Sequence, residues 1–355
     1  MKKIAIVGTQ GVPAKYGGFE TLVENIIGEN CQADIEYTIF CSSKDLATHS
    51  DSYKGCRLKY IPLCANGIQS IPYDIWSLCK AMRNYDVILV LGTSGCSFLP
   101  IFRLFCRKRL IVNIDGLEHR REKWGRMARW VLRLSERMAL HHADAIIADN
   151  KGVQDYVKET YHKASALIAY GGDHVLRNVS QSFQAECLAH YGIKHREYAM
   201  TVCRIEPENN CHVILEAFAK SNARLMFIGN WQHSEYARKL KHKYEHHPNI
   251  SILDAIYDLD ILYSLRANAK MYVHGHSAGG TNPSLVEAMF FGCPILAFDV
   301  VYNRETTHGK AYYFKDCDSL MELLRRDDLN GDAMKAIASE EYTWKKIAAQ
   351  YEALY

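Results

Sequence analysis

No two of the 12 cysteines are spaced C-x-x-C, so zinc-ribbon and thioredoxin-like readings lose their spacing. Proline is scarce, at 8 residues, and no internal repeat or low-complexity tract is visible. With 48% hydrophobic and 23% charged residues, the composition excludes a disordered chain, a collagen-like chain and a coiled coil. No uninterrupted apolar stretch approaches the ~20 residues that span a bilayer. The opening run Met1–Gly8 is too short for a signal peptide. A large excess of charge of one sign is missing too: the net value is +3. The pI of 8.2 falls short of a nucleic-acid-binding footprint, so no nucleic acid is expected as partner. These absences point to a protein that is cytoplasmic or sits on a membrane without crossing it, and whose thiols pack as small hydrophobes.

What is present has the size of two domains, since 355 residues divide at roughly 150 per domain. Residues 1–172 carry 23 Lys/Arg against 17 Asp/Glu, a balance of +6; residues 173–355 carry 20 against 23, a balance of −3. The basic half is a candidate for an anionic partner. Short β-rich runs (Ile4–Val7, Tyr37–Cys41, Val87–Leu91, Leu110–Ile114, Ala145–Ala148) alternate with helical patterns such as Ile75–Arg83 and Trp124–His142. After the turn-forming Ala169–Asp173 the alternation restarts at Tyr198–Cys203 and runs through Pro294–Phe298. Apolar strands alternating with helices predict parallel sheets covered on both faces. The fold class expected is α/β, two doubly wound Rossmann-like domains facing across a cleft. Residues 1–172 form the first, 173–332 the second, and 333–355 a helical tail that can pack back on the first.

Four segments could carry chemistry. Gly8–Glu20, with Gly17 and Gly18, links a strand to a helix, where backbone amides favour an anion. It matches neither G-x-G-x-x-G nor a P-loop, and a plain glycine-shaped turn explains it as well. Asp115 directly follows a strand, where a carboxylate can accept a proton or bond a sugar hydroxyl; a helix cap or turn is the plain alternative. The helix after it carries Arg126, Arg129, Arg133 and Arg137 with Trp124 and Trp130 between, which suits an anionic membrane surface or a diphosphate; a solvated basic face is equally open. Arg204 ends the strand Tyr198–Cys203, and its planar fork suits phosphate, unless Glu206 or Glu208 absorbs it in a surface ion pair.

The fourth segment, His274–Met289, is the most specific. A strand ends in Gly279-Gly280-Thr281, then Asn282 and Pro283 read as cap and first helical residue. Glu287 lies inside an otherwise apolar turn of Leu285, Val286, Ala288 and Met289, a poor place for a merely solvated carboxylate. Asp258-Leu259-Asp260 spells D-x-D, but the helical pattern after it makes Asp258 a cap. None of the 16 His has the H-E-x-x-H spacing, and no metal is predicted.

Taken together, five segments resemble the retaining glycosyltransferases of family 4, with the GT-B fold, and more closely their bacterial rhamnosyltransferase branch. They are I-A-I-V-G-T-Q-G-V-P-A-K-Y-G-G-F-E-T at 4–21, Asn113–Trp124, A-Y-G-G-D at 169–173, C-R-I-E-P-E-N-N at 203–210 and G-G-T-N-P-S-L-V-E-A-M at 279–289. The resemblance implies transfer of a sugar, L-rhamnose from dTDP-L-rhamnose, onto a polyprenyl-diphosphate-linked saccharide in capsule, O-antigen or cell-wall polysaccharide synthesis, with no cofactor beyond the substrate nucleotide sugar. A UDP-hexose donor, a GT-B-fold nucleotide-sugar epimerase and a non-catalytic nucleotide-sugar sensor are alternatives. By the same resemblance Arg204 contacts the diphosphate, Glu287 the ribose, the stretch Gly280, Thr281, Asn282 and Ser284 the phosphate or sugar, and Ile256 lies near the base. Gly17 and Gly18 let the first domain approach the donor, and Asp115 sits by the acceptor. Two positions depart from the family pattern: Asn209 stands where a Lys is usual, and Gly279 where the first acid of E-x7-E falls. The diphosphate then leans on Arg204 and helix amides.

Overall fold

Runs of branched and aromatic residues form the strands, and their near-continuous burial marks sheets covered on both faces. The computed structural model describes every residue except 15–16, 33, 118 and 120–124, and it divides into two compact units. The first comprises Met1–Tyr170 with Trp344–Tyr355; the second is Gly171–Thr343.

In the first unit the strands are β1 (Lys2–Val7), β2 (Ile35–Ser42), β3 (Ser52–Tyr53), β4 (Cys56–Ile61), β5 (Val87–Leu91), β6 (Arg109–Asn113), β7 (Ala145–Ala148) and β8 (Ala166–Leu167). They lie in the order β3-β4-β2-β1-β5-β6-β7-β8, parallel except for the β3–β4 pair. Helices α1 (Gly18–Glu29), α2 (Ser70–Ala81), α3 (Leu99–Phe105), α4 (Arg126–His142) and α5 (Lys151–Tyr161) connect them. The all-apolar β5, V-I-L-V-L, is buried along its whole length at the centre.

The second unit has β9 (Tyr198–Val202), β10 (Arg224–Ile228), β11 (Ile250–Leu253), β12 (Met271–His274), β13 (Ile295–Phe298) and β14 (Tyr312–Phe314), all parallel in the order β11-β10-β9-β12-β13-β14. Its helices are α6 (Gln181–His190), α7 (Cys211–Ala219), α8 (Glu235–Tyr244), α9 (Leu259–Ala267), α10 (Pro283–Met289), α11 (Val301–Thr306), α12 (Cys317–Leu324) and α13 (Asp332–Glu341).

The tail expected as one segment from 333 is two helices that go to different units. α13 buries Met334 and Ala338 within the second unit and stops at Tyr342. Then α14 (Trp344–Glu352) rejoins the first unit, packing on α1. Trp344, Ile347, Ala348 and Tyr351 recur at helical spacing and give α14 one buried stripe in the first core. The tyrosine at its end is tied in as well: Tyr351 OH accepts from Asn113 Nδ2 at 2.7 Å.

Candidate active site

In an open parallel sheet, ligands collect at the carboxyl ends of the strands where the strand order reverses. In the second unit that point lies between β9 and β12, because successive strands run outward from β9 to β11 and from β12 to β14. Arg204 follows β9, and the glycine-rich loop 275–282 follows β12, so the order of the sheet brings these two segments together. Asn209 joins them. Its Nδ2 donates to the Arg204 carbonyl at 2.7 Å, which leaves its Oδ1 to accept from His276 Nδ1 at 2.7 Å. Gly275 packs so closely here that a Cβ would lie 2.1 Å from the Asn209 carbonyl oxygen. Asn209 is thus a buried strut between the loops. It does not take over the charge of a lysine. Nor does His274 at the end of β12: burial pushes its pKa down to about 3, which keeps the ring neutral.

Arg204 remains half-exposed. Its Nη1 is 3.9 Å from Glu206 Oε2, a loose pair that leaves the guanidinium donors open to an anion. Across the loop, Asn282 caps α10 by accepting from Ser284 N at 3.0 Å and Ser284 Oγ at 2.8 Å, with Pro283 at the first helical position. Gly280 and Thr281 are buried just before the cap.

Glu287 does not stand alone. One carboxylate oxygen takes a short ion pair from Arg266 Nη2 on α9, and the other lies 3.5 Å from His174 Nε2. The Arg266 side chain is 4% exposed and that of Glu287 15%, so the acid faces solvent at its edge while a buried cation fixes it from behind. Sequence reasoning missed both partners. The one signal was an arginine, Arg266, directly after Leu265 on the buried face of its helix. Ile256 lies half-buried in the loop between β11 and α9. Asp258 caps α9, accepting from Asp260 N at 2.9 Å and Ile261 N at 3.1 Å, and Asp260 pairs with Arg177, so D-x-D serves structure here.

In the first unit, the order reverses between β1 and β5, and the loop after β1 runs into α1. Gly17 is the helix cap, with φ +126 and no side chain to bond; a Cβ there would sit 1.9 Å from Glu20 Oε2. Glu20 turns back under the loop and accepts from Gln10 N at 2.7 Å and Thr9 Oγ1 at 2.9 Å. Burial raises its pKa, and those hydrogen bonds offset only part of the rise. Gly18 begins α1. Asp115 lies just beyond β6 in the left-handed region, φ +59, with its amide donating to Asn113 Oδ1 at 3.0 Å. Such a conformation costs energy in a residue with a Cβ and is found where a local bond imposes it.

A second feature absent from the sequence reading is the network around Glu136 on α4. His119 Nδ1 lies 3.0 Å from Oε2, and Tyr156 and Tyr161 each donate to Oε1 at 2.8 Å. Burial pushes this carboxyl up, but the bonds from His119, Tyr161 and Tyr156 and the His119 charge outweigh it and hold the pKa below the ordinary value. Trp124 lies outside the described residues.

Residues 189–326 match the family described as Glycosyl transferases group 1. The second unit carries a group 1 glycosyltransferase domain. Residues 1–173, ahead of that transferase domain, match a domain of unknown function, DUF1972. No curated protein matches the chain. Sucrose-phosphate synthase from Thermosynechococcus elongatus superposes with a TM-score of 0.83 at 17% identity, covering 100% of this chain and 98% of that one. HepE of Anabaena, in complex with UDP-glucose, gives 0.78 at 15% identity over 99% of both chains. Trehalose 6-phosphate synthase from Burkholderia multivorans gives 0.67 at 11% identity, over 99% and 97%. The fold is therefore GT-B, with two Rossmann-like domains. Within the transferase domain, Arg204, the 280–284 loop and Glu287 all lie on elements at the carboxyl edge of one sheet, and Ile256 follows β11 at the same edge. Gly17, Gly18 and Asp115 lie at the corresponding edge of the other sheet.

Proposed function

We propose that this protein is a retaining glycosyltransferase that moves L-rhamnose from dTDP-L-rhamnose onto a polyprenyl-diphosphate-linked saccharide, as a peripheral enzyme on the inner face of the plasma membrane. The observation that carries the reading is the pairing of Arg204 and the capped 280–284 loop at the strand-order reversal of a group 1 transferase domain. On this reading the Arg204 guanidinium and the backbone amides of Gly280, Thr281, Asn282 and Ser284 grip the donor diphosphate. Glu287, fixed from behind by Arg266, accepts the ribose hydroxyls, and the base lies along Ile256. The loop through Gly17 and Gly18 presents backbone rather than side chains to a ligand, and Asp115 bonds the acceptor hydroxyl.

The hard step is departure of the nucleoside diphosphate, which concentrates charge on one oxygen. Donors already aimed at that oxygen stabilise it without reorganising. The acceptor hydroxyl attacks the anomeric carbon on the same face, and the leaving phosphate takes its proton, so no strong protein base is needed. HepE, with UDP-glucose bound, supports a nucleotide diphosphate donor and favours a second reading, a UDP-hexose in the same seat.

The test is to incubate purified protein with labelled dTDP-rhamnose and UDP-hexoses, with and without lipid-linked acceptor. Removing one oxyanion donor from such a site lowers kcat by about 100- to 1,000-fold. Arg204→Ala is expected to fall in that range without loss of fold, since its side chain is half-exposed. Glu287→Ala is expected to raise the donor KM. Near-normal transfer by both variants would remove the site assignment, and donor turnover without an acceptor would favour an epimerase.

A further inference from the structure

The glycine-rich loop after β12 is tied down at its start and then left open. Asn210 Nδ2 donates to the Gly275 carbonyl at 2.8 Å, and Ser277 donates to the Glu208 carbonyl from both N and Oγ at 2.8 Å. His276 is gripped from two sides. Its Nδ1 donates to Asn209 Oδ1 at 2.7 Å, and its carbonyl accepts from Asn303 Nδ2 on α11 at 2.8 Å. Beyond Ser277 the pattern changes. The amides of Ala278, Gly279, Gly280 and Asn282 have no hydrogen-bond partner among the described residues, and the next fixed point is the Asn282 cap. Two adjacent glycines do little to set the path between, because glycine restricts the backbone least. The grip on 275–277 therefore decides where the open amides point.

Asn303 is the member of this grip that comes from farthest along the chain. Its Nδ2 also donates to the Phe298 carbonyl at the end of β13, at 2.8 Å. That bond alone would tie α11 to its own strand; the second crosses to the loop of the neighbouring β12. Asn303, Asn209 and His276 are all buried, so water does not replace their bonds when they break. The loops have little charge in reserve: Arg204 is the one arginine or lysine in 203–210 and 275–282. A diphosphate seated here depends on amide dipoles, and donors aimed in advance act without a cost of reorganisation. We propose that Asn303 is a positioning residue for the nucleotide-sugar donor: with Asn209 it clamps His276, and through His276 it aims the amides of 278–282 at the diphosphate. The proposal rests on the glycosyltransferase reading and adds to it a residue that itself touches no ligand.

The test is titration calorimetry of the whole protein with dTDP and with UDP, set beside the denaturant midpoint of each variant. Asn303→Ala is expected to weaken nucleotide binding roughly tenfold, the loss that follows when the competent loop arrangement falls to about a tenth of the population. Should that variant fail to fold, Asn303→Asp keeps the size, turns an oxygen toward the His276 carbonyl and carries the same expectation. Asn209→Ala should act alike. Because both residues work through His276, the double variant should lose clearly less than the product of the two single losses. Asn249→Ala is the control. Its Nδ2 donates to the carbonyls of Phe218, Ser221 and Ala223, a tie of the same kind outside both loops, so it should lower stability and leave nucleotide binding as in wild type. Normal nucleotide binding by Asn303→Ala overturns the proposal. So do single losses that simply multiply, or an Asn249→Ala variant that loses as much affinity as Asn303→Ala, which would make the effect one of general destabilisation. In each of these cases wild type still binds nucleotide, and the transferase reading stands. If wild type binds neither nucleotide, that reading fails and the clamp falls with it.

Discussion

Each unit has a glycine-bearing loop that leaves a central strand and enters a helix bearing a glutamate, buried in the first unit and partly buried in the second, yet the two glutamates are held in opposite ways. In the first unit, Glu20 faces inward to the Gln10 amide and the Thr9 hydroxyl of its own loop, and no cation pairs with it among the described residues. In the second, Glu287 faces Arg266 and His174, which come from other elements. A carboxylate bonded to its own loop fixes the shape of that loop. One held from behind by a buried cation keeps its front edge for a ligand. The caps differ in the same sense: Gly17 contributes no side chain to α1, whereas Asn282 bonds both the amide and the hydroxyl of Ser284 on α10. The same sequence pattern, glycines then an acid, thus serves shape in one unit and a candidate ligand contact in the other.

Arg266→Ala cuts deepest into this contrast. It leaves Glu287 with His174 as its remaining ionic partner among the described residues, and breaking a buried pair from one side costs about 3–5 kcal/mol. The open edge of Glu287 puts the expected loss at the low end, about 3 kcal/mol by the same measure, read from the denaturant midpoint. Pairing Arg266→Met with Glu287→Gln should recover much of it. If stability is untouched, the cation does not fix the acid.

Glu20→Ala comes next, expected to cost about 1–3 kcal/mol by leaving buried donors without an acceptor. Glu20→Gln keeps an acceptor oxygen and should cost less. The pH dependence sharpens the point. Because burial raises the Glu20 pKa above 4.5, its proton is held more tightly in the folded than in the unfolded chain. Wild-type stability from this group is full below that pH and is lost as pH rises through the folded value. In Glu20→Gln that part of the slope should vanish, as followed by thermal melts from acid to neutral pH. A slope of the same size in the variant would assign it to another group.

Smallest is Asn282→Ala, expected to cost about 1 kcal/mol for a lost helix cap. The corresponding Gly17→Ala tests something else. It sets a methyl group against Glu20 at a positive φ, so it should disturb the first loop rather than the end of α1, visible as altered amide exchange at Gln10.

What the sequence made legible was whatever lies close together along the chain. The β5 run Val87–Leu91 and the β7 run Ala145–Ala148 stand in the structure with the bounds read from their apolar pattern. The Asn282–Pro283 start of α10 and the Asp258 cap of α9 were readable because a cap and its helix are neighbours. β4 escaped notice because only alternate residues are buried, and its lysine and arginine face out. Side-chain partners were hidden for a different reason. Arg266 is 21 residues from Glu287, and His119 is 17 from Glu136, and no local periodicity relates either pair. Asn209 could be seen as a departure from the family pattern, but its role as a strut to His276 needed the sheet order that sets β9 beside β12.

The path of the chain carries a consequence for how it is assembled. The first unit receives α14, with Trp344 and Tyr351 in its core, only after all of Gly171–Thr343 has been made. During synthesis the second unit can therefore close first, while the apolar face of α1 waits for its cover. A chaperone that shields α1 would act on nascent chains, and would be released once the last helix docks.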